Sequence, residues 1–223
     1  MLCGAKVTDE PTKIAILAFD GITALDLVGP YEALSRVPNV EISVCGKAAG
    51  VCRTEAGTLG VVADLPISSV SGSDILLVPG GGPKGISMLI QDGEILEWIR
   101  SMSREAKWTA SVCTGSLVLG AAGLLENRNA TTHWRAKDFL PRFGATYVNE
   151  RVVESEKILT AAGVTAGIEL GLRLVEKIAG LEIARAVELS MHYDPKPPFG
   201  TGSPKKADSE TIQTAVEGLA KYS

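Results

Sequence analysis

Three predominantly apolar runs of strand length, each followed at once by a turn, constrain the fold of this chain more than any other feature. They cover residues 13–19, 74–79 and 107–112. Because their apolar residues do not alternate with polar ones, they are typical of parallel strands that helices bury on both faces. Helical spacing over residues 86–103 and 166–179 supplies such helices. The pattern predicts an α/β fold with a mainly parallel sheet between two helical layers.

Composition narrows the class of protein. Of the 223 residues 45% are hydrophobic, and no linker divides them, so we expect a mobile lead over residues 1–12 and one α/β domain over residues 13–223. A net charge of −4 offers no basic surface, so we expect no nucleic-acid partner. The apolar runs are shorter than the ~20 residues that cross a bilayer, so we expect no membrane segment. The absence of a signal peptide and of paired cysteine spacings favours the cytoplasm.

One cysteine stands where a strand pattern changes to a helix pattern. The frame Ser111-Val112-Cys113-Thr114-Gly115 resembles a nucleophile elbow, with Cys in the nucleophile position and Ser in place of the first Gly. Such a turn places the sulfur at a helix N-terminus, where backbone N–H groups favour the thiolate. We therefore predict that Cys113 is a reactive nucleophile. Cys45, within an apolar run, is expected to be a buried core residue.

An acidic residue, Asp26, lies in an apolar segment after the first predicted strand. It has two interpretations. Asp26 could be the N-cap of a helix that begins near Gly29, since Gly29-Pro30 suits a first helical turn. It could also be a partly desolvated acid that faces the thiol, because burial raises a carboxyl pKa and keeps the group protonated.

Two further segments complete the candidate site. Gly80-Gly81-Gly82 follows a buried strand but lacks the frame of a nucleotide-binding loop, so we expect it to offer N–H groups to an oxyanion or substrate. His133 could be a general base for the thiol, or a helix-start residue that holds its neighbours in place. With only two histidines in the chain, a metal site is not expected. Because ligands of parallel sheets sit beyond the carboxyl ends of the strands, these loops and Cys113 should converge.

Five segments in this order resemble the ThiJ/PfpI superfamily, which is class I glutamine amidotransferase-like. They are Asp26-Leu27-Val28-Gly29-Pro30, Val78-Pro79-Gly80-Gly81, Ser111-Val112-Cys113-Thr114-Gly115-Ser116, Ala130-Thr131-Thr132-His133-Trp134 and Gly163-Val164-Thr165-Ala166-Gly167-Ile168-Glu169. The likeness covers nearly the whole chain and is strongest to the branch that hydrates isocyanides.

The resemblance implies a flavodoxin-like three-layer sandwich, a homodimer, and hydration of a small apolar isocyanide to the N-substituted formamide without metal or cofactor. By motif, Cys113 would be the nucleophile and Asp26 its acidic partner. Thr114, Gly81, Gly82 and His133 would surround the substrate.

Two other functions remain open on the residues. One is another cysteine enzyme of the superfamily, such as a glyoxalase, deglycase or peptidase, in which His133 would point at Cys113. The other is a ligand- or redox-sensing domain like the amidase-like part of AraC-type regulators, although residues 1–223 contain no helix-turn-helix pattern. The role of the loop over residues 193–206 is not predicted.

Overall fold

A computed structural model describes residues 10–219, so Cys3 and most of the predicted lead over residues 1–12 lie outside the described residues. The described strands are β1 (Thr12–Leu17), β2 (Val40–Gly46), β3 (Gly50–Arg53), β4 (Gly60–Ala63), β5 (Leu65–Pro66), β6 (Ile75–Val78), β7 (Trp108–Val112), β8 (Asn129–Ala130), β9 (Thr146–Tyr147), β10 (Val152–Ser155) and β11 (Ile158–Ala161). The α-helices are α1 (Ala24–Leu34), α2 (Pro83–Gln91), α3 (Gly93–Glu105), α4 (Gly115–Ala121), α5 (Ala166–Ala179), α6 (Leu181–Ser190) and α7 (Ser209–Leu219), and a 3₁₀ helix covers Trp134–Phe143.

A seven-stranded sheet in the order β10-β11-β7-β6-β1-β2-β5 forms the middle layer. Every neighbouring pair is parallel except β10 with β11. Helices α1, α5 and α6 pack together, and α2, α3 and α4 form the second group. The side chains of β6 are fully buried, as the apolar runs predicted. The predicted three-layer flavodoxin-like α/β sandwich is thereby confirmed.

Strand order places the site. The chain leaves β1 toward β2 and leaves β6 toward β7, which lies on the opposite side. The loops after β1 and β6 therefore diverge to opposite faces and leave a crevice between them at the carboxyl edge of the sheet. Helix α4 starts from the end of the adjacent strand, β7, so the elbow opens beside this crevice.

The start of α1 differs from the prediction. The helix begins at Ala24, with Thr23 as its N-cap, and Pro30 lies inside it. A proline in a helix interior removes one backbone hydrogen bond. Here it accompanies a close contact with α5, because a Cβ on Gly171 would lie 2.8 Å from the Pro30 Cα. Packing between the two helices outweighs the local preference, and it makes Asp26 a first-turn residue rather than an N-cap.

The helical spacing over residues 86–103 is divided between two helices. α2 ends and α3 begins at residues 92–93, where the Asp92 side chain caps α3. The segment before Gly144 is a 3₁₀ helix, and Gly144 ends it with a φ of 73°. Cys45 is buried in β2, as expected, and burial raises its pKa to about 12.

Candidate active site

The loops after β1 and β6 meet the β3–β4 hairpin at the carboxyl edge of the sheet. Ile22 forms a parallel bridge with Thr54 and an antiparallel bridge with Gly81. The Glu55 N–H donates to the Ile22 carbonyl at 3.0 Å. These backbone bonds hold three separate segments in register around the first turn of α1, and the β7–α4 elbow closes the remaining side.

Cys113 has the strained backbone of a nucleophile elbow. Its φ is 55°, which is uncommon for a residue other than glycine and marks a constrained turn. Helix α4 begins two residues later, at Gly115. A side chain at this position would collide with the Val78 and Pro79 carbonyl oxygens. The elbow therefore needs a glycine at that position. Cys113 is only 5% exposed in the single chain, so the residue is almost completely enclosed.

Asp26 is fully buried, at 0% exposure, and faces the elbow. Its Oδ2 accepts a hydrogen bond from the Gly80 N–H at 3.1 Å. Among the residues that the structure describes, its Oδ1 has no hydrogen-bond partner of ordinary geometry. The Cys113 thiol is nevertheless near enough for each group to shift the other's pKa. The interpretation of Asp26 as an acid facing the thiol fits this arrangement.

The pKa values of both groups are raised. Burial lifts the pKa of Asp26 from 3.8 to about 7, against the opposing effects of the Gly80 N–H and the Cys113 thiol. Burial, followed by the charge on Asp26, holds the pKa of the Cys113 thiol well above 9.0, although the Thr114 N–H and hydroxyl lower it. The expectation that the helix N-terminus lowers the pKa of this thiol is therefore wrong. Desolvation by burial raises the pKa by more than the neighbouring donors lower it.

The glycine turn holds the site together rather than pointing at a ligand. The Gly80 N–H donates to Asp26, the Gly81 N–H to the Thr114 hydroxyl at 3.0 Å, and the Gly82 N–H to the Gly21 carbonyl. The Thr114 hydroxyl in turn donates to the Gly81 carbonyl at 3.0 Å. All three glycine N–H groups thus have partners within the protein, so the prediction that they are free for an oxyanion is wrong.

His133 is half-buried, and its ring is tilted by 40° to the Trp134 ring, with 5.7 Å between the ring centroids. Its Nδ1 accepts from the Arg135 N–H at 3.4 Å, and burial, followed by the Arg135 charge, lowers its pKa. Within residues 10–219 no hydrogen bond joins His133 to Cys113. Its neighbour Thr132 makes the contact with the elbow, since the Thr132 hydroxyl donates to the Cys113 carbonyl at 3.0 Å. The described residues therefore show no contact that would let His133 act as a general base for the thiol. A role of His133 in substrate binding remains a prediction.

Sequence reasoning missed two residues of this site. Glu55, at the end of the hairpin, accepts from the Thr23 hydroxyl at 3.0 Å, and its charge helps to raise the pKa of Asp26. No local pattern marks it, because only the tertiary fold brings the hairpin to the site. Thr132 lies within a segment that carried the family resemblance, and its position beside His133 was the available signal.

A separate cleft of about 740 Å³ lies between β10, α5 and α6, and its lining includes Arg151, Glu169 and Tyr193. Glu169 accepts from Arg151 and from the Tyr193 hydroxyl. Neither Asp26 nor Cys113 lines this cleft. None of the helices within residues 10–219 is long and apolar enough to cross a membrane.

Comparison with known proteins agrees with this arrangement. The model of the DJ-1/PfpI family matches residues 12–177. An isonitrile hydratase of Pseudomonas putida is 39% identical over 93% of this chain and 90% of its own length. A glutathione-independent glyoxalase of Caenorhabditis elegans is 30% identical over 55% of this chain and 65% of its own length.

Solved structures show the same fold. The crystal structure of a ThiJ/PfpI family protein from Pseudomonas syringae matches with a TM-score of 0.90 and 35% identity, over 95% of this chain and 87% of that one. DJ-1beta of Drosophila melanogaster matches with a TM-score of 0.75 at 19% identity, over 83% of this chain and all of its own. From the family model and these relatives together, the chain belongs to the DJ-1/PfpI family.

Proposed function

We propose that the protein is an isocyanide hydratase, which converts R–N≡C and water to the formamide R–NH–CHO. The observation that carries the proposal is a fully buried carboxyl, Asp26, beside the thiol of a strained elbow, Cys113. The likeness to an isonitrile hydratase over 93% of the chain supports the same activity. The reaction needs a nucleophile for carbon and a nearby acid, and these two side chains provide both.

The pair shares one proton in its reactive state. Because the pKa of Asp26 is about 7 and that of the thiol is raised well above 9.0, the carboxyl and thiol together lose their first proton near neutral pH. The remaining proton can rest on sulfur, or on Asp26 with the sulfur as thiolate. The second arrangement is the productive one, since the thiolate attacks and the carboxylic acid donates.

In the first step the Asp26 proton moves to the isocyanide carbon as Cys113 Sγ bonds to that carbon. The product is a thioimidate, R–N=CH–S–Cys, and Asp26 is left as a carboxylate. Protonation and attack occur together because the isocyanide carbon accepts a nucleophile only as it gains a proton. General acid catalysis of this kind contributes about 10²–10⁴ in rate.

In the second step the Asp26 carboxylate takes a proton from water as the water oxygen bonds to the same carbon, and that proton passes to nitrogen. The intermediate R–NH–CH(OH)–S–Cys then collapses. Its C–S bond breaks, its hydroxyl proton returns to Asp26, and R–NH–CHO leaves. The pair again holds one proton, so the chain's own residues complete the cycle.

We assign substrate contacts to Thr114, Gly81, Gly82 and His133. The glycine N–H groups and the Thr114 hydroxyl have partners within the protein, which leaves few hydrogen-bond donors for the substrate. Such surroundings suit an apolar isocyanide. A reactive thiol is kept reduced in the cytoplasm, which is where we place the reaction.

We also propose that the protein is a homodimer. Helix α1 buries one side in its own chain, while Leu25, Val28 and Tyr31 on its other side are 37%, 42% and 37% exposed. Contiguous apolar side chains of this kind mark contact surfaces.

The test is conversion of an aryl or alkyl isocyanide to its formamide by the purified protein. Cys113→Ala and Asp26→Asn should each abolish turnover, whereas Cys52→Ala, on the β3–β4 hairpin, should not. Methylglyoxal serves as the competing substrate, because a glyoxalase would consume it much faster than isocyanides. Undiminished isocyanide turnover by Cys113→Ala would end the proposal.

A further inference from the structure

The carbonyl oxygen of Cys113 is held by two buried hydroxyl groups from different parts of the chain. The Thr132 hydroxyl donates to it at 3.0 Å from the segment after β8, and the Ser116 hydroxyl donates at 3.1 Å from the first turn of α4. Both side chains are 0% exposed. A carbonyl has two lone pairs, so these bonds fill its accepting capacity.

The Cys113 C=O and the Thr114 N–H belong to one planar peptide group, and this N–H lowers the pKa of the Cys113 thiol. Hydrogen bonds in series polarise each other, so donors on the carbonyl make the N–H a stronger donor. The other side of the elbow is held by the Cys113 N–H, which donates to the Ala161 carbonyl at 2.9 Å.

We propose that Thr132 is a positioning residue, which with Ser116 fixes and polarises the Cys113–Thr114 peptide so that its N–H stabilises the attacking thiolate. The proposal rests on the proposed function, in that Cys113 is the nucleophile. It explains why a fully buried hydroxyl from a distant segment donates a hydrogen bond to the carbonyl of a strained turn. Thr132 does not touch the substrate and acts only through the elbow.

The neighbouring residue Thr131 provides a matched control. It is also 0% exposed, but within the described chain its hydroxyl has no hydrogen-bond partner. Thr131→Val and Thr132→Val therefore make the same change of shape at adjacent buried positions, and only the second removes a bond to the elbow. Thr132→Ser keeps the hydroxyl and serves as the rescue variant.

The experiment measures the pH dependence of Cys113 alkylation by iodoacetamide, followed on its peptide by mass spectrometry, together with kcat/KM for an isocyanide. The midpoint that reports on the thiolate is the higher of the pair's two, at which the thiol ionises beside an already ionised Asp26. In Thr132→Val this midpoint should move to higher pH by about one unit and kcat/KM should fall about tenfold, the effect of one hydrogen bond. Thr132→Ser and Thr131→Val should stay near the unaltered protein. Asp26, the charged group that faces the thiol from α1, and Glu55, which acts on Asp26 from the hairpin, are unchanged in every variant.

Equal behaviour of Thr132→Val and Thr131→Val in both measurements would overturn the proposal. If Thr132→Val does not fold, Ser116→Ala removes the other donor and should move the midpoint in the same direction; an unmoved midpoint there overturns the proposal as well. A shifted midpoint in a protein that hydrates no isocyanide supports the positioning role and overturns the proposed function instead. The alkylation measurement thus separates the two failures.

Discussion

Asp26→Asn should make the protein more stable near neutral pH while it removes activity. The pKa of Asp26 rises from 3.8 to about 7 on folding, so the folded state binds this proton more tightly than the unfolded chain. Stability is then greatest below 3.8 and falls as pH rises toward 7, because ionising a buried carboxyl costs more in the folded state. Asparagine has no such ionisation and keeps the oxygen that accepts from the Gly80 N–H.

The magnitude follows from the two pKa values. Between about pH 5 and about pH 8, ionisation of Asp26 shifts the folding equilibrium toward the unfolded state by a factor of about 100, which corresponds to roughly 2–3 kcal/mol. The free energy of unfolding of Asp26→Asn, relative to the unaltered protein, should therefore rise by that amount between the two pH values. Urea unfolding at each pH gives the four free energies, and the other titrating groups cancel in the difference.

Asp74→Asn provides a control with the opposite sign. The Lys13 N–H and the Lys107 ammonium hold the pKa of Asp74 below 3.8, so its contribution to stability is lost only in more acidic solution. Its effect on unfolding should be the same at about pH 5 and about pH 8. A relative stability of Asp26→Asn that does not change between these pH values would refute the assignment of a raised pKa to Asp26.

Three further predictions concern the site and its surroundings. The kcat/KM for an isocyanide should rise with pH through about 7, where the pair loses its first proton. Glu55→Gln should move this midpoint to lower pH, because it removes a negative charge near Asp26, and an unchanged midpoint would contradict the prediction. Gly80→Ala should reduce kcat/KM strongly, since its Cβ would lie 2.6 Å from Asp26 Oδ2. The control Gly93→Ala places its Cβ in open space and should leave turnover intact, so equal activities of the two variants would argue against close packing around Asp26. Val28→Glu should convert a dimer to a monomer in sedimentation, and a dimer that persists excludes α1 as the contact.

The position of Asp26 shows where local reasoning fails. The Gly29-Pro30 pair predicts a helix start, but α1 begins at Ala24 because close packing against α5 compensates for the proline. The residue thereby changes from a candidate cap to a buried acid. Glu55 carries no local signal at all, since the hairpin is held at the site by bonds to Gly21, Ile22 and Thr23, which are distant in the chain.

The sequence alone determined the parallel sheet, the elbow at Cys113 and the segments that meet there. Continuous apolar runs and small residues at sharp turns are local requirements, and they can be recognised without a partner. Only the tertiary structure decided how the groups of the site behave. Burial of both members of the pair raised their pKa values, and the internal bonds of Gly80, Gly81 and Gly82 removed the predicted oxyanion donors. Desolvation and hydrogen-bond partners depend on residues distant in the chain, so they exist only once the fold has brought those residues together.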